Sequence, residues 1–271
     1  DRRGLSYDPH PFGLAAAREA IAAGCTRRGA RVDADAVVLS ASTSESYSWL
    51  FKLLCNPGDT ALAPQPSYPL FEHLTRLEGI AVTPYTLHYH GRWEIDARSV
   101  RDAPASTRAV LLVSPNNPTG SYVSARDLDL VTGLAGERGW AVIADEVFAD
   151  YALDEPSPLT DIATRAGVLT FTLGGASKSL GLPQVKLGWT VVGGPPSDRA
   201  QALEALAFIA DTYLSVGTPV QIAAPDLLRR SAAVRHAIHA RVRANLGRAR
   251  DIARRFPACE SLRVEGGWTA P

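Results

Sequence analysis

Seven short apolar runs, set apart by segments with helical patterning, are the feature that most restricts how this chain folds. They lie at 37–39, 60–63, 81–85, 109–113, 141–144, 168–173 and 187–192. Runs such as Ala109 to Val113 are apolar throughout, without the alternation of a half-exposed strand. That pattern belongs to strands covered on both faces. No Asp-Gly or Asn-Gly pair joins two of the runs as a tight hairpin. Strands alternating with helices predict an α/β sheet with most strands parallel.

The intervening helices carry their own punctuation. Leu14 to Gly24 reads as an Ala-rich helix closed by a glycine. Ser124 to Gly139 opens on a serine with Asp127 three residues on, close to a capping box. Asp198 to Asp211 and Val220 to Phe256 read as helical, and Ala232 to Phe256 as one long Arg-rich helix. The segment from Leu87 to Arg108 reads as a hairpin or loop excursion with one helix.

Composition removes several function classes. The 271 residues are 46% hydrophobic, enough for a sizeable core. Lys plus Arg and Asp plus Glu number 28 each, so no charge excess points to nucleic acid or to a basic partner. No apolar run reaches the ~20 residues of a membrane span. Cys25, Cys55 and Cys259 are an odd number, far apart, and form no CxxC pair. A reducing, cytoplasmic setting is expected. The chain opens at Asp1, has no methionine and stops at Pro271 after Gly-Gly-Trp. Both ends are expected to be missing.

Four loops carry candidate chemistry. Lys178 stands between Ser177 and Ser179 in a Gly-rich turn that follows an apolar run. Such a lysine is either a solvated turn residue or a desolvated amine nucleophile. Ser42, Thr43 and Ser44 lie between a strand and a helix N-terminus. Small residues there make either an anion site or a plain N-cap. Asn117 sits in the turn Ser114-Pro115-Asn116-Asn117-Pro118-Thr119-Gly120 and Asp145 ends the run Ala141 to Ala144. Tyr68 is held between prolines in Pro64-Gln65-Pro66-Ser67-Tyr68-Pro69. It either packs under its loop or offers a flat face to a planar ring.

In this order and spacing the loops resemble the class I/II aminotransferases, fold-type-I enzymes of the aspartate aminotransferase superfamily that use pyridoxal 5′-phosphate (PLP). The resemblance runs from about Tyr7 to about Trp268. It implies a three-layer α/β/α large domain with a mostly parallel seven-stranded sheet over 1–225. An interdomain helix and the start of a smaller C-terminal α+β domain would follow over 226–271, with Ser261 to Val264 and Gly266-Gly267-Trp268 beginning that domain. It implies Lys178 as the Schiff-base lysine and Asp145, rather than Glu146, as partner of the protonated pyridine nitrogen. Asn117 would donate to the phenolic O3′, and Tyr68 would stack on the ring. Ser42, Thr43, Ser44, Ser177 and Lys186 would hold the phosphate, joined by Tyr7 from the partner subunit of a homodimer.

Departures from the family pattern are visible. Phe148 stands where relatives often place a tyrosine that donates to O3′, and Tyr151, one turn further, is not expected to replace it. Ser42 stands for a glycine, Gly175 for a phosphate-binding serine, and Lys186 for an arginine. The family's arginine for the substrate carboxylate has no match up to Pro271.

The activity implied is transfer of an amino group between an amino acid and a 2-keto acid. A PLP-dependent C–S β-lyase and a PLP-binding regulatory domain are the alternatives. A P-loop is excluded because Ser177, not glycine, precedes Lys178-Ser179. No Gly-x-Ser-x-Gly elbow, His-Glu-x-x-His helix or dinucleotide fingerprint occurs, and the six histidines have no ligand spacing. No metal is expected.

Overall fold

Strands β5 (Thr107–Val113) and β6 (Ala141–Asp145) run parallel near the middle of one sheet. This computed structural model describes residues 2–153, Ile162 and 167–271. The other strands are β1 (Val37–Ser40), β2 (Thr60–Gln65), β3 (Ala81–Tyr89), β4 (Trp93–Ile95), β7 (Thr170–Gly175) and β8 (Gly188–Gly193). Their spatial order is β1-β8-β7-β6-β5-β2-β3-β4.

Helices cover both faces. α2 (Thr43–Leu54), α3 (Leu70–Leu77) and α7 (Pro196–Tyr213) pack on the side that carries Ala109, Leu111, Val113, Phe171 and Leu173. α1 (Ala15–Arg27), α5 (Ala125–Arg138) and α8 (Thr218–Arg230) cover the other side. There α5 meets Val110, Leu112, Val142 and Ala144, while α1 and α8 meet Val37, Leu39 and Val191. Adjacent residues of β5 thus enter opposite cores, which is why the run reads apolar without alternation.

The expected α/β architecture is present, with informative differences. The sheet has eight strands rather than seven, because β3 continues past Tyr85 and turns at Gly91 into β4. Four pairings are parallel, and β1–β8, β7–β8 and β3–β4 are antiparallel. β7 ends two residues later than its apolar run, since Gly174 and Gly175 stay paired with Trp189 and Gly188. A Cβ on Gly174 would overlap the Trp189 indole, so the glycine there serves packing rather than a turn. α1 passes through Gly24 to Arg27, and the expected glycine stop is absent. The helical stretch expected over 220–256 divides at Ser231, whose hydroxyl donates to Leu228 O, and the long Arg-rich helix begins at Ala232 as expected. α9 (Ala232–Ala253) then continues with no buried residue.

Residues 264–268 dock on the loops that follow β5 and β6. The N–H groups of Glu265 and Gly266 both donate to Gly120 O, at 2.9 and 2.8 Å. Gly267 N donates to Tyr151 O, and Leu153 N to Glu265 O. Gly120 has φ +65, and a Cβ there would come within 2.9 Å of Gly266 O. Its glycine is needed both for the turn and for this docking. The Glu265 carboxylate is buried and accepts from Tyr122 N at 3.0 Å, with Arg92 at 3.4 Å.

Gly188 joins the sheet to the start of α2. It pairs with Ser40 on one side and Gly175 on the other. A Cβ there would lie 2.9 Å from both Ser40 Oγ and Ser42 C. Gly188→Ala is therefore expected to destabilise the chain by about 1–3 kcal/mol. Urea denaturation checks this; an unchanged midpoint would mean that the Ser40–Ser42 turn is not pressed against β8.

Candidate active site

Register decides which side chains can meet. Val113 of β5 is level with Asp145 of β6, and Asp145 with Leu173 of β7. Ser40 of β1 is level with Gly188, and Gly188 with Gly175. The loops after β1, β5, β6 and β7 therefore leave from the same sheet edge. Carboxyl ends of parallel strands form the usual crevice of an open α/β sheet.

Asp145 closes β6 and is only 9% exposed. Its Oδ1 accepts from Val147 N at 3.1 Å, and its Oδ2 accepts from the Tyr47 hydroxyl at 3.1 Å. Burial pushes the carboxyl up to about 6, against the two hydrogen bonds and the positive charge of Lys178. Tyr47 is itself buried on α2, with its ring against Phe51 and Phe71.

Lys178 lies in the short helix α6 (Ala176–Ser179) that follows β7 directly. Its Nζ sits 5.8 Å from the centre of the Phe148 ring and 5.5 Å from that of Trp268. The two rings meet edge to face at 5.2 Å. Trp268 also packs against Tyr151 at 5.1 Å, and its Nε1 has no acceptor among the described residues. Tyr151 is fully buried and donates its hydroxyl to Lys178 O at 2.8 Å. It does not replace the hydroxyl absent at Phe148, but it anchors the lysine's backbone. Ser179 donates to Asp150, which Arg28 approaches at 3.7 Å, so the far end of α6 is tied as well.

The serine-rich loop forms the N-terminus of α2. Ser42 is the N-cap, with its Oγ accepting from Glu45 N at 3.2 Å. Glu45 reaches back to Ala41 N at 2.7 Å and accepts from Ser215 at 2.6 Å. This arrangement leaves the first-turn N–H groups of Thr43 and Ser44 without intrahelical acceptors. The start of α2 lies beside the end of β7, where a Cβ on Gly175 would lie 3.9 Å from Thr43 Cγ2. Ser177, half-buried, precedes the lysine. Lys186 is exposed, in a left-handed conformation with φ 56, and forms no ion pair among the described residues.

The proline-bound loops meet through Asn116 rather than Asn117. Asn116 is buried, donates to Pro66 O at 3.0 Å and to Thr119 Oγ1 at 2.8 Å, and accepts from Ser67 at 3.0 Å. It clamps the loop bearing Tyr68 to the loop bearing Asn117. The half-buried Asn117 amide has no hydrogen-bond partner among the described residues. Tyr68 is 48% exposed and Tyr7 81% exposed. Neither ring packs on another aromatic ring among the described residues.

Sequence reasoning passed over Tyr47, Trp268 and Asn116. Asn116 carried a usable signal, being adjacent to Asn117 between two prolines. Tyr47 and Trp268 carried none, since each joins the site from a distant segment. Among the described residues, no group of His, Cys, Asp or Glu could hold a metal ion, and no helix is long and apolar enough to cross a membrane.

Residues 2–268 match the family described as aminotransferase class I and II. Nicotianamine aminotransferase 1 of Oryza sativa subsp. japonica is 28% identical over 228 residues, 82% of this chain and 46% of that protein. Alanine aminotransferase of Mycobacterium tuberculosis is 27% identical over 192 residues, 70% of this chain and 45% of that protein. The chain thus spans about half the length of these curated relatives. Among solved structures, an alanine aminotransferase from Pyrococcus furiosus superposes with a TM-score of 0.88 at 25% identity, over 98% of this chain and 68% of that one. The fold also matches tyrosine aminotransferase from Leishmania infantum, with a TM-score of 0.89 at 19% identity, over 98% of this chain and 67% of that one.

Asp145 yields a signed expectation for the protein without ligand. Its folded value is raised from 3.8 to about 6, so the folded state holds the proton more tightly than the unfolded chain. Stability from this group is full below about 3.8 and is lost as pH rises through about 6. Asp145→Asn should match the wild type at pH near 4 and exceed it by up to about 3 kcal/mol near pH 8. Denaturation at the two pH values checks this; equal gains at both would assign the effect to packing instead.

Proposed function

The chain belongs to the class I and II aminotransferases, and from that membership we propose that it binds PLP and moves an amino group between an amino acid and a 2-keto acid. One observation carries the proposal: a buried carboxylate, Asp145, and a half-buried lysine, Lys178, leave adjacent strands at one sheet edge, close enough for the lysine's charge to act on the carboxyl.

The residues present fit a flat, phosphorylated pyridine. Asp145 is buried with no cation hydrogen-bonded to it among the described residues, so a protonated ring nitrogen is a natural partner. The Thr43 and Ser44 N–H groups, the Ser42 and Ser177 hydroxyls and the Lys186 ammonium would hold the phosphate, with Tyr7 added from the partner subunit of a homodimer. The unpartnered Asn117 amide would donate to the phenolic oxygen, where Phe148 offers only its ring. Tyr68 would cover one ring face. Bound there, PLP supplies the electron sink that lets a Cα–H bond ionise.

Each remaining task falls to the chain. Lys178 Nζ would anchor the cofactor and, once displaced by substrate, move the proton from the substrate Cα. Tyr151 and the Ser179–Asp150 bond keep the lysine's backbone in place for that transfer. Phe148 and Trp268 flank the amine with their rings. Asp145, ionised above about pH 6, holds the ring nitrogen's proton. The three free cysteines fit a cytoplasmic setting. Small-molecule amino and keto acids are the partners proposed, with no nucleic acid and no membrane.

The test is spectroscopic first. PLP added to the protein should give a visible band that borohydride fixes covalently, and Lys178→Ala should lack both band and covalent label. A label in Lys178→Ala would overturn the assignment of the lysine. Two of the relatives are alanine aminotransferases, so alanine with 2-oxoglutarate is the first substrate pair. From this pair, pyruvate with glutamate supports transamination, whereas an S-alkylcysteine split by water into free thiol, pyruvate and ammonia without a keto-acid acceptor would indicate a C–S β-lyase.

A further inference from the structure

The bond between Tyr47 and Asp145 joins residues 98 positions apart, on α2 and β6. Both side chains are buried, Tyr47 at 3% exposure. The tyrosine ring has little freedom to turn. Phe51 stacks on it at 5.9 Å and Phe71 meets it edge-on at 5.3 Å. Asp145 is the hydroxyl's hydrogen-bond partner, and phenylalanine would fill the same space without it. Burial, followed by the nearby Asp145 charge, holds the phenol well above its ordinary value, so it remains a donor.

We infer that Tyr47 is a positioning residue for the proposed reaction: its hydroxyl fixes the Asp145 carboxylate in orientation and charge so that the carboxylate can accept a cofactor's ring N–H. The two oxygens of Asp145 have different anchors. Oδ1 takes the Val147 N–H, a local bond within its own turn, and Oδ2 takes Tyr47, the donor that arrives from another element. Without Tyr47, Oδ2 is a buried acceptor with no protein donor, and a buried carboxylate in that state favours its proton. A protonated Asp145 cannot hold a pyridinium. α2 also presents the Thr43 and Ser44 N–H groups one turn before Tyr47. One rigid helix thus sets both the anion-binding turn and the carboxylate's orientation. The titratable groups facing Asp145 are Tyr47 on α2 and Lys178 on α6.

This inference rests on the reading that Asp145 faces a PLP ring, so its test begins without PLP. The carboxyl carbon of Asp145, labelled with carbon-13 and assigned by its loss in Asp145→Asn, is titrated by NMR in the ligand-free chain. Tyr47→Phe should raise its midpoint by about 1 pH unit. Tyr85→Phe is the matched comparison. It removes another buried tyrosine hydroxyl, bonded to Leu111 O, and should leave that midpoint in place. PLP binding, followed by the visible band, should weaken about tenfold in Tyr47→Phe near pH 7, and more as pH falls. If Tyr47→Phe does not fold, 3-fluorotyrosine at position 47 takes its place: a stronger donor should lower the Asp145 midpoint. An unchanged midpoint in these variants, with PLP bound normally, would overturn the role of Tyr47 alone. A wild-type chain that binds no PLP would instead overturn the cofactor reading, and the role with it.

Discussion

A carboxylate buried at the end of a central strand is the constraint around which the site is arranged. Asp145 cannot move toward water, because its strand is paired on both sides. Its charge must be met from within, by Val147 N, by Tyr47 and by the nearby Lys178. Each of these comes from a different part of the chain. Their convergence depends on the sheet register, which sets the ends of β5 and β6 level and places Leu173 of β7, five residues before Lys178, beside Asp145. A slip of one residue in β6 would turn Asp145 to the opposite face, where Ala144 now meets α5.

The same edge explains the close glycine packing. Gly188 and Gly175 occupy the places where β8 and β7 approach the start of α2. A side chain at Gly188 would press on Ser40 and the Ser42 backbone, whereas one at Gly175 would meet Thr43 only at ordinary contact distance. The aromatic residues do the opposite work. Phe148, Tyr151 and Trp268 fill the side of the crevice that the C-terminal segment closes, and Gly120 lets that segment dock. The Lys178 Nζ thus has the Phe148 and Trp268 rings on one side and the charge of Asp145 within electrostatic reach.

Local features were legible in the sequence. The apolar runs located the strands, since burial on both faces leaves no polar alternation to blur them. Lys178 and Asp145 stood out because a strand end followed by a charged residue is a short-range pattern. Ser42 and Ser124 showed as caps for the same reason, and each side chain does accept from the N–H three residues on. Long-range features were silent. The antiparallel course of β8 depends on what lies between its ends, not on its own residues. Tyr47 reads as one apolar position on a helix until Asp145 is placed beneath it. Gly174 and Gly175 read as a turn, although they complete a strand against Trp189 and Gly188.

The energetic consequence runs from the site back to the fold. A folded chain that keeps Asp145 ionised at neutral pH sustains a cost that a neutral side chain there would not. Such a cost persists in a structure when the strained group has a use, and a cationic ring nitrogen would remove it. Binding of the proposed cofactor at this edge would do two things at once: it would satisfy the buried charge and shift the folding equilibrium by mass action. The outermost ligand groups follow a different logic. Lys186, Tyr68 and Tyr7 are exposed, without hydrogen-bond or ion-pair partners among the described residues, so under the proposed function they would add contacts only when the cofactor occupies the crevice. The inner residues are held by the fold whether or not a ligand is present. Under the proposed function, that division would place the determinants of ring chemistry in the sheet and those of affinity in the loops around it.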